Sequence, residues 1–100
     1  MITIRETDAF KNWMRNLKDR MARSVINARI RRLSLGNMGD AKSVGDGVSE
    51  LRIDYGPGYR VYFFQKGQEI IILLCGGVKS SQRKDIENAK QMVWNLEVWK

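Results

Sequence analysis

Histidine is absent from this chain, and cysteine occurs once, at Cys75. A lone cysteine cannot form an internal disulfide, and zinc sites in proteins are usually built from several cysteine and histidine ligands. Cys75 follows the apolar run at residues 70–74, and no histidine is present to lower its pKa or to accept its proton. We therefore expect an inert core thiol, and the sequence argues against both a zinc site and a cysteine nucleophile.

Long hydrophobic runs are also missing. No stretch approaches the ~20 apolar residues that cross a bilayer, and the N-terminal segment Met-Ile-Thr-Ile-Arg lacks the apolar core of a signal peptide. With 43% hydrophobic residues in a length of 100, the chain is large enough to bury a core of its own. These features predict one soluble domain spanning residues 1–100, cytoplasmic and without a membrane partner.

Positive charge is concentrated in one segment of the chain. Residues 11–32 hold eight basic residues against Asp19 alone, and so they account for the whole net charge of +7. A basic block of this kind attracts polyanions such as RNA, DNA or an acidic protein; the alternative is an ordinary solvated helix face. The residues of this block that are predicted to contact RNA are Arg15, Lys18, Arg23, Arg29 and Arg32.

The basic segment has the hydrophobic spacing of two consecutive helices. Thr7 and Asp8 offer an N-cap for the first helix, and apolar residues then recur every three or four positions through Leu17. The second helix follows after a minimal connection and ends near Gly36, because glycine can take the left-handed conformation that closes a helix. Two such helices predict an antiparallel hairpin.

The remaining segments predict strands and one further helix. Residues 2–4 favour an edge strand, residues 41–44 are compatible with a short strand, and Ser80 or Ser81 caps a final helix. Longer strands are predicted at residues 48–55, 59–65 and 69–75. The predicted order is β-α-α-β-β-β-α, an α+β fold in which an antiparallel sheet packs against the N-terminal hairpin and the C-terminal helix.

Three cations stand at unusual places in this pattern. Arg52 and Arg60 interrupt runs that are otherwise typical of half-buried strands, and Lys79 lies between a strand and a helix, near the same edge if that strand ends at Cys75. Cations gathered on one sheet face would form an anion site, and a phosphodiester backbone is the expected ligand. The alternative is a surface ion pair between Arg60 and Asp54, which would stabilise the protein little.

Whether the arginines share a face depends on the turn between the first two of the longer predicted strands, residues 48–55 and 59–65. If the Gly-Pro-Gly turn pairs Tyr55 with Tyr59, Arg52 lies opposite Tyr62 and on the same face as Arg60. A slip of one residue would move one strand's side chains to the other face. The shared face is therefore an expectation that depends on strand register.

Several segments together resemble one known family. They are the two opening helices, the segment Gly-Asp-Gly-Val-Ser-Glu-Leu-Arg-Ile, the hairpin Tyr-Gly-Pro-Gly-Tyr-Arg-Val-Tyr-Phe and the motif Lys-Ser-Ser-Gln. With them the chain resembles the RelE/ParE superfamily of toxins, and most closely its HigB-like branch of addiction-module killer proteins. The resemblance implies a RelE-like fold and a ribosome-dependent mRNA endonuclease that uses no metal and no cofactor. In such enzymes the ribose 2′-hydroxyl attacks the adjacent phosphate.

The resemblance also implies roles for individual residues. Arg60 would stabilise the charged phosphorane, Arg52 would bind the scissile or a flanking phosphate, and Lys79 would place positive charge or a proton near the leaving oxygen. Tyr59 and Tyr62 would stack on bases, and for these two the alternative is ordinary packing on a sheet face.

The chain departs from the family pattern at two points. Val78 stands where many relatives have aspartate before the Lys-Ser-Ser motif, and there is neither a histidine nor a C-terminal tyrosine to donate a proton. The general base is left open between Glu50 and Asp54.

The resemblance further implies partners. These are mRNA, the ribosomal RNA of the 70S ribosome, and a small antitoxin, HigA-like and with a helix-turn-helix DNA-binding domain, that would cover Trp99 near the C-terminus. Trp13 and Trp94 are expected to close the core between the helices and the sheet. Two other functions stay open: a ParE-like inhibitor of DNA gyrase, and a nucleic-acid-binding domain without catalysis.

Overall fold

The computed structural model describes residues 1–98, which form an α+β fold of five strands and three α-helices. The helices are α1 (Asp8–Asn16), α2 (Arg20–Ser34) and α3 (Gln82–Val98), and a 3-10 turn at Lys79–Ser81 precedes α3. The strands are β1 (Thr3–Glu6), β2 (Ala41–Gly45), β3 (Val48–Ile53), β4 (Tyr59–Lys66) and β5 (Ile70–Val78). The predicted order omitted β2, a short strand with a register irregularity between Ser43 and Gly45 and without a buried apolar face.

The sheet has the strand order β1-β5-β4-β3-β2. The strands β3 to β5 form the predicted antiparallel meander, β2 extends it by one strand, and β1 pairs with β5 in parallel. The sheet is therefore mixed, and the prediction of an antiparallel sheet is wrong at this edge. An apolar pattern identifies a strand but does not encode its direction. The fold is compatible with a RelE-like toxin fold.

The predicted helical hairpin is present, and its ends follow from local chemistry. Thr7 caps α1 by accepting a hydrogen bond from the backbone N–H of Phe10 at 3.1 Å. Asp19 caps α2 in the same way, and Gly36, at φ +89°, lies just beyond its last turn. The hairpin is thus encoded by contacts within a few residues along the chain.

Helices cover both faces of the sheet. The hairpin face is the sheet surface against α1 and α2, and its buried residues are Phe10, Ala22, Ile26, Leu33, Leu51, Ile53, Tyr59, Val61, Phe63, Ile71 and Leu73. The α3 face is the opposite surface, with a smaller core of Val48, Tyr62, Leu74, Ala89 and Val93. Odd-numbered positions of β3 and β4 point to the hairpin and even-numbered ones to α3, because side chains alternate along a strand.

The tryptophans differ in environment. Trp13 packs on the hairpin face, with ring centroids 5.9 Å from Phe10 and 6.2 Å from Tyr59, as predicted. Trp94 is 66% exposed, so its predicted place in the core is wrong. Trp99 lies outside the described residues. No helix within residues 1–98 is long and apolar enough to cross a membrane.

Candidate active site

Arg52 and Arg60 lie directly opposite each other on adjacent strands. The register pairs Ile53 with Tyr59, so residues 54–58 form the connection, and the predicted pairing of Arg52 with Tyr62 is wrong by two residues. The turn is longer because the backbone N–H of Gly58 donates to the Tyr55 carbonyl within the connection. A slip of two residues preserves the face, so the prediction that both arginines share one face is confirmed.

A cavity of about 250 Å³ brings the three predicted catalytic cations together. It lies between the ends of β3 and β4, the connection that joins them and the first residue after β5. Its lining residues are Asp40, Arg52, Ile53, Asp54, Gly58, Tyr59, Arg60 and Lys79. Arg52, Arg60 and Lys79 are thus neighbours in space, and their catalytic roles stay predictions.

Lys79 lies at the cavity because β5 is longer than predicted. β5 continues to Val78, three residues beyond the predicted end, and Gly76 and Gly77 are part of the strand and not of a turn. A Cβ atom at Gly76 would lie 2.3 Å from the Trp13 ring, and one at Gly77 would lie 1.9 Å from the Asp85 carboxylate. Because these glycines have no side chain, Trp13 can pack against one face of β5 and Asp85 against the other. The strand therefore continues to Val78, next to the cavity residue Lys79.

Glu50 lies behind the cavity and contacts both arginines. Its side chain is fully buried, and its Oε1 accepts hydrogen bonds from Arg52 Nε at 3.0 Å and Arg60 Nη1 at 2.9 Å. Its Oε2 accepts from the Tyr62 hydroxyl at 3.1 Å and from Gln82 Nε2 at 2.8 Å. The acidic partner of Arg60 is therefore Glu50, and the ion pair with Asp54 that was considered as the alternative does not form.

The surroundings of Glu50 keep its carboxylate ionised. Burial alone raises the pKa of Glu50, but hydrogen bonds from Arg52 and Gln82 and the positive charge of Arg60 outweigh burial and leave the pKa lowered. Both oxygens are occupied and inaccessible, so Glu50 is not a general base. Asp54, which is exposed and lines the cavity, is the accessible one of the two carboxylates considered for that role.

The arginines differ in how far they face solvent. The Arg60 side chain is 12% exposed, whereas that of Arg52 is 36% exposed. The Nε atom of Arg60 is buried and has no hydrogen-bond partner in the described part of the chain. Lys79 is exposed at the cavity mouth. The cavity thus has one rigidly enclosed guanidinium, one half-exposed guanidinium and one exposed ammonium group.

The two tyrosines predicted to stack on bases are buried. Tyr59 is 8% exposed and lies on the hairpin face, stacked against Tyr55 with ring centroids 6.5 Å apart. Tyr62 is fully buried on the α3 face, where burial and the charge of Glu50 raise the pKa of its hydroxyl. The ring of Tyr62 is unavailable to a base, so packing replaces its predicted stacking. Tyr59 also lines the cavity, and its stacking on a base stays a prediction.

Two of the five helix cations stabilise the fold. Arg29 donates to the backbone carbonyls of Arg52 at 2.6 Å, Met38 at 3.2 Å and Asp40 at 3.3 Å. Through these bonds it fixes the chain on two sides of the cavity, which Arg52 and Asp40 both line. Arg29 therefore has a structural role, and its contact with RNA stays a prediction.

Arg23 has a similar place between the two helices. It is half-buried and donates to the carbonyl of Leu17, the C-cap residue of α1. Its guanidinium stabilises the end of a helix, and contact with RNA stays a prediction for Arg23. Arg15, Lys18 and Arg32 are exposed, and contact with RNA stays a prediction for them.

Cys75 has the environment of a structural thiol. Its Sγ lies 3.9 Å from the carbonyl oxygen of Asp85, and burial, helped by the charge of Asp85, raises the pKa of Cys75 to about 12. The thiol therefore stays protonated at neutral pH, which confirms the prediction that it is inert.

A family model described as "Phage derived protein Gp49-like (DUF891)" matches residues 9–93. The chain belongs to this Gp49-like family. The matched residues include all those that line the cavity. The Gp49-like family is toxin-like and is linked to addiction modules.

One relative is similar to the chain over nearly its whole length. An uncharacterized protein of Haemophilus influenzae is 53% identical over 95 residues, which cover 95% of this chain and 96% of the relative. Because the two proteins align over nearly their whole lengths, the similarity extends over both helical layers and the sheet between them.

Proposed function

We propose that this Gp49-like protein is the toxin of a type II toxin-antitoxin module and, like RelE and HigB, a ribosome-dependent endonuclease that cleaves mRNA without a metal. The toxin-like character of the family supports the first part. The observation that carries the second is the convergence of Arg52, Arg60 and Lys79 on one cavity. A cluster of fixed cations can stabilise the extra negative charge of a pentavalent phosphorane.

In the proposed reaction the ribose 2′-oxygen attacks the adjacent phosphorus while the bond to the 5′-oxygen breaks. Asp54 accepts the 2′-hydroxyl proton, and Lys79 donates a proton to the departing 5′-oxygen. Arg60 and Arg52 donate charge-assisted hydrogen bonds to the non-bridging oxygens. The products are a 2′,3′-cyclic phosphate and a free 5′-hydroxyl, so atoms and protons balance without a co-reactant.

The exposed cations of the helical hairpin are proposed to contact ribosomal RNA. Arg15, Lys18 and Arg32 all face solvent, and contacts to phosphates by such residues give binding that weakens with salt. A protein that acts on the 70S ribosome works in the cytoplasm. We propose a HigA-like antitoxin with a helix-turn-helix domain as its regulatory partner, in line with the toxin-antitoxin context of the family.

Charge balance in the cavity favours a second candidate. The carboxylates of Asp40 and Asp54 line the same space as the three cations, and Glu50 contacts both arginines. The cavity therefore attracts a phosphate less strongly than three cations alone would. A ParE-like inhibitor that binds DNA gyrase by protein contact needs no phosphate site, and balanced charge is compatible with it. A nucleic-acid-binding domain without catalysis would rely on the hairpin cations instead.

Lys79→Ala is the sharpest test of the nuclease proposal. Lys79 is exposed and forms no ion pair within residues 1–98, so the change should leave the fold intact. Lys66→Ala is the matched control, because Lys66 is also exposed but lies at the far end of β4. In a translation extract, we expect Lys79→Ala to lower the rate of mRNA cleavage by about 10²–10³-fold and Lys66→Ala to leave it unchanged.

The chemical form of the RNA ends identifies the cleavage reaction, which the rate of cleavage alone does not. Mapping of RNA ends should find 5′-hydroxyl and cyclic phosphate termini within translated codons. Arrest of cell growth with a DNA-damage response and intact mRNA would favour the gyrase inhibitor. Intact mRNA without any growth arrest would favour the binding domain and contradict both toxin proposals.

A further inference from the structure

Glu50 joins three elements of the fold at one buried carboxylate. Its donors are Arg52 on β3, Arg60 and Tyr62 on β4, and Gln82 at the first position of α3. Four hydrogen bonds at 2.8–3.1 Å satisfy the group well. No other acidic residue of the described chain contacts either arginine in an ion pair.

A charged residue is an expensive choice for this position. The α3 face around it is apolar, with Val48 and Leu74 in the same core, and removing a carboxylate from water costs free energy that its ion pairs often fail to recover. Apolar side chains in place of Glu50 and its charged partners together would serve packing at least as well. The contacts of Glu50 with the arginines therefore suggest a role other than stability.

The strand register indicates that the two arginines would repel each other without Glu50. Arg52 and Arg60 are directly opposed across an antiparallel pair, where like charges repel. Oε1 of Glu50 accepts from both guanidinium groups and so holds them around one oxygen atom. Within the described residues, the hydrogen bond to Glu50 is the one that the Arg60 side chain forms, and its buried Nε has no partner there.

This arrangement leaves donors available to a ligand. Arg52 uses its Nε and Arg60 its Nη1 for Glu50, and within residues 1–98 the hydrogen bonds of these side chains go to no other acceptor. Both Nη atoms of Arg52 and Nη2 of Arg60 thus remain free to donate. Both residues line the cavity, where such donors suit the oxygens of a phosphodiester.

We propose that Glu50 is a positioning residue, which aligns the guanidinium groups of Arg52 and Arg60 for a phosphodiester in the cavity. The proposal rests on the nuclease function for its consequence in catalysis. Its structural content, the fixed orientation of the two arginines, can be measured whether or not the protein cleaves RNA.

The first experiment therefore uses NMR of the ¹⁵N-labelled protein. In the wild type, the Nε–Hε signal of Arg52 should be sharp and protected from solvent exchange, because that group donates to Glu50. In Glu50→Gln, which has nearly the same shape but no charge, we expect its exchange to accelerate by about tenfold or more. An Arg52 signal that exchanges as fast as those of surface arginines in the wild type would overturn the proposal, even if no variant folds.

The second experiment measures mRNA cleavage on programmed ribosomes. Glu50→Gln should lower the rate at saturating protein by on the order of 100-fold, with a much smaller change in the concentration that gives half the maximal rate. Tyr62→Phe is the control, because it removes one donor to the same carboxylate and leaves both arginine contacts. It should stay within about threefold of the wild type.

The outcomes separate the two proposals. Wild-type protein that does not cleave mRNA contradicts the nuclease function, while the NMR result still decides the orientation of the arginines. Equal losses in Glu50→Gln and Tyr62→Phe would show that Glu50 acts through packing alone and would overturn its positioning role. If Glu50→Gln does not fold, Glu50→Asp takes its place: the shorter side chain cannot reach both arginines, and full activity in this variant would refute the proposal.

Discussion

Side chains alternate between the two faces of the sheet, but the residues on the two faces differ in polarity. The hairpin face buries an unbroken apolar and aromatic surface, in which Trp13 lies between Phe10 and Tyr59. The α3 face starts as a smaller apolar core and changes at Glu50 into a cluster of charged and polar groups. One face thus supplies stability, and the end of the other supplies the candidate chemistry.

A cavity in the core of the hairpin face is expected to have the largest effect on stability. Phe10 is 1% exposed in the core beneath α1, and Phe10→Ala should lower the free energy of unfolding by about 3–5 kcal/mol. Denaturant titration measures this loss. The cleavage rate per folded molecule should stay unchanged, since Phe10 does not line the cavity, and a fall in that rate would show that the two faces are coupled.

A smaller effect separates the structural arginine from its exposed neighbour. Arg29→Ala removes the side-chain donor to three backbone carbonyls, of which that of Asp40 still accepts from the Arg52 backbone N–H, and it should cost about 1–3 kcal/mol of unfolding free energy. Arg32→Ala, on the same helix but exposed, should change stability by less than about 0.5 kcal/mol. Thermal and denaturant unfolding of both variants tests this contrast, which equal losses would contradict.

The polar end of the α3 face should also make stability depend on pH. The pKa of Glu50 is lowered in the folded protein from an ordinary value of 4.5. The stabilising contribution of its ionised form is therefore complete above about pH 4.5 and is lost as the pH falls through the lowered folded pKa.

Unfolding free energies of the wild type and Glu50→Gln, measured at several pH values, test this dependence. The wild type should lose stability more steeply on acidification, because the glutamine variant lacks the titrating group. Parallel curves would mean that Glu50 binds the same number of protons in the folded and unfolded states.

The smallest effect concerns the outer surface of the hairpin. Arg15→Glu with Arg32→Glu should weaken ribosome binding and reduce its logarithmic salt slope by about 2, because each arginine is expected to meet one phosphate. Sedimentation with ribosomes at several salt concentrations measures the slope. Glu87→Gln on α3, also exposed, is the control, and an unchanged slope in the double variant would remove the hairpin as a docking surface.

Local signals explain which parts of the fold were predictable. The hairpin followed from Thr7, the three-and-four spacing of α1 and the glycine at position 36, all of which act within a turn or two of helix. The register of β3 and β4 was wrong by two residues, yet the shared face of Arg52 and Arg60 was right because the side-chain period of a strand is two.

Other features depended on contacts that no local pattern contains. Gly76 resembled a turn residue until the Trp13 ring was found against it, 63 positions earlier in the chain. The role of Glu50 had one local signal, its two-residue spacing from Arg52, which puts both on one face of β3. Its contact with Gln82, 32 positions away, had none.

Short-range periodicity and residue chemistry are enough to predict the helices, most of the strands, the core thiol and the face that carries the cations. The tertiary structure was needed to establish the direction of β1, the burial of Tyr59 and Tyr62, and the carboxylate that the arginines share. Those features arise where distant segments meet, and the free energy of such a contact belongs to the pair of segments and not to either one alone.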